Sequence, residues 1–325
     1  MKDYYILNNG RLKRKDNTIY FTDSEDNKRA LPIEQIDSIH VYGEVDLNTK
    51  MINYISQYGV ILNFYNYYGY YTGSFYPRKK NVSGFSLVCQ SACYLNDDER
   101  IYIARSFIES AVHHILRNMR YYKVDESLIE SIKKESEGLK YVQDIQTLMG
   151  IEGRIRRNYY KSFNHILKNG YSFSKREKRP PKDPINALMS FGNSVMYTNV
   201  LKEIYKTQLD PTVSFLHEPS SKRFSLSLDI AEIFKPLIID PIIFSLVNNK
   251  RLNKSDFVYE DEICYLSESG KKKFLSDFEG KMSTTIKHRK LNRQVSYRYF
   301  IRLECYKLIK HFIGDEKYKV LKAWW

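Results

Sequence analysis

The feature of this sequence that most restricts its fold is a change in hydrophobic spacing about a quarter of the way along the chain. Up to residue 85, short runs rich in Tyr, Ile and Phe alternate with turn residues, a pattern typical of β-strands. From Asn96 onward the apolar residues recur at helical spacing. We therefore predict an α+β fold: a small N-terminal β-sandwich or roll domain over residues 1–85, then a larger all-α domain over residues 86–325.

Turn and breaker residues give local predictions inside this plan. Asn9-Gly10 is a strong hairpin-turn pair and predicts a hairpin over the first twenty residues. Apolar spacing predicts a helix over residues 227–239 that Pro241 ends. Residues 278–324 are predicted to form one or two closing helices with Lys and Arg repeated on one face.

The charge of the chain favours a polyanionic partner. Its 52 Lys and Arg against 38 Asp and Glu give a formal net charge of +14. Residues 1–85 hold 11 basic and 9 acidic side chains, which leaves 41 and 29 for the rest and places the excess in the helical domain. No run approaches the roughly 18 apolar residues of a membrane span, and the first ten residues are not a signal peptide. We expect a cytoplasmic protein that binds nucleic acid, since its basic segments lack the large apolar face of a membrane-surface helix.

One stretch combines side chains suited to a divalent cation. His217 precedes a predicted helix on which Asp229 and Glu232 lie three residues apart and therefore on one face. Such N and O donors can bind a metal ion, although a structural histidine beside a solvated acidic face has the same spacing. Lys235, one turn further, could neutralise a phosphate or pair with these carboxylates.

Basic segments lie near a second acidic candidate, Glu152, close to the start of another helix. Arginines follow it directly, and a basic loop runs over residues 175–182; either group could contact a phosphate backbone or remain a solvated surface. The predicted DNA contacts are Arg154, Arg157, Arg176, Arg179, Lys222 and Arg223.

Three segments in order resemble the CRISPR-associated endonuclease/integrase family, the universal integrase of spacer acquisition, and most closely its type I members. They are IEGRIRRNYYKSFN, RPPKDPINALMSFGNSVMYTNV and LDPTVSFLHEPSSKRFSLSLDIAEIFKP. The resemblance implies that Glu152, His217 and Glu232 bind Mg²⁺ or Mn²⁺. Asp229 and Lys235 match supporting positions of the same catalytic site.

The same resemblance implies a function in antiviral defence. The chain would join the 3′-hydroxyl ends of double-stranded prespacer DNA to the CRISPR repeat by transesterification. It would act as a homodimer, formed largely through the N-terminal domains, together with a small ferredoxin-like adaptation partner. Two alternatives remain open from the residues themselves: a stand-alone metal nuclease and a non-catalytic nucleic-acid-binding scaffold.

Overall fold

A computed structural model describes residues 2–78, 81–177, 180–219 and 224–325. Its contacts divide the chain into two units, Met1–Lys80 and Asn81–Trp325. The first is rich in strands and the second is mostly helical, which confirms the predicted α+β class. The boundary predicted after residue 85 falls in the first turn of α2 (Gly84–Leu95).

Among its described residues, the N-terminal unit contains two four-stranded sheets and one α-helix. The strands and the helix are β1 (Lys2–Ile6), β2 (Gly10–Lys15), β3 (Thr18–Asp23), β4 (Lys28–Leu31), β5 (Ile36–Val41), β6 (Val45–Asp46), α1 (Thr49–Gln57), β7 (Ile61–Tyr65) and β8 (Tyr71–Phe75). One sheet has the order β1-β5-β7-β8 and the other β4-β3-β2-β6. Both contribute to one apolar core, in which Leu12, Ile39 and Leu62 are fully buried together with Ile55 of α1.

The hairpin predicted at Asn9-Gly10 is wrong. β1 pairs in parallel with β5, and the first hairpin joins β2 to β3 through a turn in which Asp16 has a φ of 53°. Gly10 is instead the first residue of β2, where a Cβ atom would lie 2.2 Å from the carbonyl oxygen of Thr22. The glycine therefore permits close strand approach rather than a turn.

The second unit contains ten helices and two short antiparallel hairpins among its described residues. They are α2 (Gly84–Leu95), α3 (Asp97–Tyr121), α4 (Glu126–Glu137), α5 (Ile145–Lys161), α6 (Phe163–Ile166), α7 (Pro184–Tyr205), α8 (Ser225–Phe234), α9 (Asp240–Asn248), β9 (Phe257–Glu260), β10 (Ile263–Leu266), α10 (Glu268–Ser283), β11 (Thr285–Lys287), β12 (Gln294–Ser296) and α11 (Tyr297–Phe312). Because of these hairpins, the second unit is mostly helical rather than all-α as predicted. No helix in the described ranges is long and apolar enough to cross a membrane.

Side-chain caps fix the starts of the long helices. The side chains of Asn96, Asp144 and Asp183 accept backbone hydrogen bonds at the N-termini of α3, α5 and α7. Each satisfies a donor that the helix itself leaves unpaired. Pro184 follows its cap at the first helical position, where a missing N–H has no cost.

The prediction that Pro241 ends a helix over residues 227–239 is wrong. The helix is interrupted from Lys235 onward and continues through Pro241 in α9. α8 stops at Phe234, and a π-helical turn, Lys235–Ile239, connects it directly to α9. Pro236 lacks the N–H that a regular α-helix would use, and the Asp240 N–H donates to the Lys235 carbonyl five residues back. Gly192 of α7 packs against this turn, since a Cβ there would lie 2.7 Å from Ile239.

The segment 278–324 also differs from its prediction. α10 extends to Ser283, the β11–β12 hairpin follows, and only α11 is a closing helix. The last residues run back along the unit: Tyr102, Ser110 and His113 of α3 hydrogen-bond to carbonyls of Tyr318, Leu321 and Ala323. These contacts join polar side-chain atoms to backbone carbonyls, so hydrophobic periodicity carries no signal of them.

Candidate active site

Two acidic residues eighty positions apart share one arginine. Arg156 of α5 donates from Nε to Glu152 Oε1 at 2.9 Å and from Nη2 to Glu232 Oε2 of α8. The Glu152 side chain is 22% exposed and that of Glu232 is 11% exposed. Packing of α5 and α8 in the same unit therefore brings both predicted carboxylates to one solvent-accessible point.

Glu232 is held ionised by two cations. Lys235 Nζ lies 2.5 Å from Glu232 Oε1, the i, i+3 pair that helical spacing predicts. Burial alone would raise the pKa of Glu232, but the charges of Lys235 and Arg156 outweigh it and lower that pKa to about 2. The carboxylate is therefore charged at any physiological pH.

His217 is oriented by Asp229. Asp229 is fully buried, and its Oδ1 lies 2.7 Å from His217 Nδ1. The same carboxylate accepts backbone hydrogen bonds from Phe215 at 2.7 Å, Leu216 at 2.9 Å and His217 at 3.0 Å. This set of four fixes the loop and places the imidazole proton on Nδ1. Within the described ranges, His217 Nε2 has no hydrogen-bond partner, so its lone pair remains available.

His217 also lies within electrostatic reach of the carboxylates. Burial would lower the pKa of His217, but the hydrogen bond to Asp229 and the charges of Asp229 and Glu232 raise it overall, while Lys235 opposes them. As the side chains stand, no three His, Cys, Asp or Glu residues in the described part of the chain form a ready metal cage. Glu152 Oε1 and both carboxylate oxygens of Glu232 are instead bonded to Arg156 or Lys235.

The turn after Glu232 is supported by α3. His114 Nδ1 lies 3.0 Å from the Ile233 carbonyl, and Asn118 Nδ2 donates to the Pro236 carbonyl at 2.7 Å. On its other side, His114 Nε2 accepts from the Ala323 N–H at 3.1 Å. α3 thus supplies donors to carbonyls of a segment that a regular helix would satisfy itself.

A basic groove of about 520 Å³ begins at Arg156. Its cationic lining residues are Arg156, Arg157, Lys161, Lys175 and Arg176. Tyr160, Asn164 and Phe173 complete much of its wall. Positive walls of this kind suit the phosphate backbone of a nucleic-acid strand.

The predicted DNA contacts fall into three groups. Arg157 and Arg176 line the groove, although Arg176 also binds Asn186 Oδ1 at 2.8 Å and Ser190 Oγ at 3.0 Å. Arg154 is paired with Glu135 of α4 at 2.8 Å. Arg179, Lys222 and Arg223 lie outside the described residues.

Sequence reasoning did not foresee that Arg156 joins the two carboxylates. Its position four residues after Glu152 is a signal for the first contact, because i, i+4 partners face each other on a helix. The second contact, to Glu232, has no local signal. Lys161, Asn164 and Phe173 were likewise not expected to line the groove. Phe173 lies beyond the end of α6, so no helical spacing relates it to Arg156.

The family model described as CRISPR associated protein Cas1 matches residues 4–280. A Clostridium perfringens protein named CRISPR-associated endonuclease Cas1 is 61% identical, over 100% of this chain and 99% of the relative. The solved structure of a Cas1 protein from Thermotoga maritima has a TM-score of 0.90 at 36% identity, covering 99% of this chain and 100% of that one. A casposase bound to an integration product, at 21% identity and a TM-score of 0.86, covers 98% of this chain and 92% of that one and is alike in fold alone.

Proposed function

The chain belongs to the CRISPR associated protein Cas1 family, and on that premise we propose that it is a metal-dependent DNA endonuclease and integrase of CRISPR adaptation. One observation carries the proposal: Glu152 and Glu232, from separate helices, meet on Arg156 beside a histidine that Asp229 orients. This is a preorganised polar site with one solvent-accessible side. Phosphodiester chemistry on a large substrate requires preorganised polar groups and a side open to that substrate.

The donor chemistry of the site fits a divalent cation. Glu152 and Glu232 already converge on positive charge, and Glu232 is ionised with a pKa of about 2. His217 donates its Nδ1 proton to a carboxylate and keeps Nε2 available, the arrangement usual for metal-bound histidines. Glu152, His217 and Glu232 would hold Mg²⁺ or Mn²⁺, which when bound lowers the pKa of an attacking hydroxyl and stabilises charge at the phosphate.

The other side chains have defined roles in this proposal. Asp229 positions His217 and does not contact the substrate. Arg156 and Lys235 are the cations available to oxygens of the scissile phosphate. The 3′-hydroxyl oxygen of the incoming strand attacks phosphorus, the existing P–O bond breaks, and the leaving 3′-oxygen takes up a proton. With water as the nucleophile, the same site hydrolyses DNA.

The basic groove gives the attacking strand a route to the site. Arg157, Lys161 and Lys175 lie along it, and Arg156 belongs to both the groove and the carboxylate cluster. A single strand whose phosphates follow these cations would present its terminal hydroxyl near Glu152 and Glu232. The proposed substrate is accordingly duplex DNA with a single-stranded 3′ end.

Strand transfer of a labelled prespacer in Mn²⁺ tests the function. Joined product is expected from the wild-type chain, and none from His217→Ala, while both proteins bind DNA equally. Cleavage without joining would instead identify a stand-alone nuclease. Neither product from the wild type would identify a scaffold, and full integration by His217→Ala would remove the histidine from the mechanism.

His165→Ala is the matched control, since this histidine is exposed on α6 and belongs to no part of the site. It should integrate DNA like the wild type. Loss of activity in both variants would point to a general effect of histidine removal on folding.

We further propose the assembly that the family resemblance implies: a homodimer formed largely through the N-terminal units, with a small ferredoxin-like partner. Light scattering on the purified chain is expected to give twice its mass of 38.7 kDa. A monomer at micromolar concentration would contradict the dimer, and failure of the partner to co-elute would contradict the complex.

A further inference from the structure

The β11–β12 hairpin and its tip, residues 285–296, form a basic segment that follows the residues matched by the family model. That match ends at residue 280. The hairpin's four Lys and Arg side chains fall within seven residues: Lys287, Arg289, Lys290 and Arg293. No acidic residue occurs between Glu279 and Glu304. The charge of this hairpin is therefore not balanced locally in sequence.

Among the described residues, the folded structure does not bring enough acidic side chains to the hairpin to balance its charge either. All four cations are exposed, and within the described ranges only Lys290 pairs with an acid, Glu316, at 3.1 Å. That pair is open to solvent on both sides, so it contributes little and can exchange for another anion. Lys287, Arg289 and Arg293 have no acidic partner among the described residues.

The hairpin tip is closed by hydrogen bonds and carries an exposed leucine. His288 Nδ1 accepts from the backbone N–H groups of Lys290 at 3.2 Å and Leu291 at 3.1 Å, and Asn292 donates to the His288 carbonyl at 2.9 Å. Asn292 has a φ of 49°, the left-handed conformation of a tight turn. This framework holds Leu291, 43% exposed, between Lys290 and Arg293.

Aromatic side chains tie the hairpin to the rest of its unit. The His288 ring stacks on Phe300 of α11 with centroids 5.6 Å apart. The Arg289 guanidinium lies 5.0 Å from the Trp324 ring, and that of Arg293 lies 5.2 Å from the Tyr299 ring. These contacts orient the two guanidinium groups while leaving their N–H donors accessible.

We propose that this hairpin is a duplex-DNA contact, in which Lys287, Arg289, Lys290 and Arg293 bind phosphates on both sides of a groove and Leu291 enters it. A two-stranded β-ribbon fits a groove of B-form DNA, and an apolar side chain between cations can wedge against base steps. The proposal takes its DNA substrate from the proposed function but does not depend on the catalytic site. It assigns a second DNA surface, separate in sequence from the basic groove beside Arg156.

The phosphate contacts are tested by salt dependence. In the His217→Ala background, binding of the full chain to a blunt 30-base-pair duplex is measured by fluorescence anisotropy across salt concentrations. Replacing the four cations with Ala should reduce the slope of log affinity against log salt by about 3.6, or 0.9 for each phosphate contact.

The control removes the same charge elsewhere, from four exposed lysines that form no ion pair in the described structure: Lys50, Lys134, Lys140 and Lys254. It should retain the slope of the His217→Ala parent to within about one contact. Equal slopes for both variants would overturn the proposal, because net charge alone would then explain binding. Preference for duplex RNA over duplex DNA would also overturn it.

Leu291→Ala tests the wedge. It should weaken duplex binding by up to about tenfold, the order expected for one apolar side chain, while leaving the salt slope unchanged. Energy transfer between dyes on the duplex ends should show less bending than with Leu291. Unchanged affinity and bending would restrict the hairpin to phosphate contact and overturn the wedge. Since these measurements use a protein without strand-transfer activity, they stand or fall independently of catalysis.

Discussion

Two histidines, one in each unit, show how similar side chains can have different roles. His40 lies in the N-terminal sheet, where Nε2 is 3.0 Å from Ser38 Oγ and Nδ1 is 2.7 Å from Tyr65 OH. Among the described residues, the His217 imidazole is hydrogen-bonded only through Nδ1, to Asp229. His40 is fully buried, whereas the His217 side chain is 26% exposed. The first imidazole has both nitrogens satisfied, and the second keeps one for a ligand.

The carboxylates beside them differ in the same way. Asp3 accepts from Ser38 Oγ at 2.7 Å inside the sheet network. Glu232 is paired with Arg156 and Lys235, side chains that could exchange partners at a partly open site. A closed hydrogen-bond network specifies a fold, while an ionic cluster with an exposed side can bind something else. Four predictions test this distinction, from the largest expected effect to the smallest.

Removing Arg156 should have the largest effect. Arg156→Ala leaves two largely buried carboxylates facing each other, and we expect the free energy of unfolding to fall by about 3 kcal/mol. Mn²⁺ should restore part of this loss by taking the place of the guanidinium. Chemical denaturation with and without Mn²⁺ measures both effects. The neighbouring Arg157→Ala is the control and should change stability little, while no rescue of Arg156→Ala by Mn²⁺ would argue against a cation site.

Asp229→Asn should disturb His217 without removing it. The amide offers the loop one acceptor oxygen in place of two and cannot hold the Nδ1 proton as a carboxylate does. We expect strand transfer to fall by about 10- to 100-fold, with weaker Mn²⁺ dependence, as for other residues that orient metal ligands. Exposed Asp261→Asn should integrate normally. Wild-type metal dependence in Asp229→Asn would mean that His217 does not need its carboxylate.

A third histidine shows that an imidazole with both nitrogens hydrogen-bonded can occur in either unit. His114 lies in the helical unit but, like His40, has both nitrogens bonded, to Ile233 and Ala323. Burial, followed by the nearby His113, lowers its pKa to about 3, while the Ile233 carbonyl raises it and Arg117 lowers it further. The unfolded chain binds this proton below about pH 6.5 and the folded chain does not, so stability is present above that pH and is lost as the pH falls.

At pH 5 this loss amounts to roughly 2 kcal/mol relative to pH 7. Denaturation at the two pH values measures it. His114→Gln should be about 1 kcal/mol less stable at pH 7 and should lose less on acidification than the wild type. Parallel losses in both proteins would show that other groups dominate the acid sensitivity.

Ser38→Ala should have the smallest effect and should leave chemistry intact. It removes two hydrogen bonds from the sheet network and should destabilise the protein by about 1–2 kcal/mol. Strand transfer per folded molecule at 25 °C should equal that of the wild type. A strong catalytic defect with normal folding would show that the N-terminal network has a direct part in function.

Local sequence was sufficient to predict features that depend on residues close together in the chain. The change from strand to helix spacing and the pair Glu232–Lys235 both involve residues within four positions of each other. The hairpin predicted at Asn9-Gly10 was wrong because β1 pairs with β5, about thirty residues later, rather than with β2. The π-helical turn was missed because its stability depends on donors from α3 as well as on Pro236.

The sequence by itself determined the α+β class and, through family resemblance, the candidates Glu152, His217 and Glu232. Only the tertiary structure decided that Arg156 joins two of them, that Asp229 orients His217, and that a basic hairpin forms near the end of the chain. The reason is physical: spacing along a helix fixes which side chains share a face, but packing between distant elements fixes which faces meet.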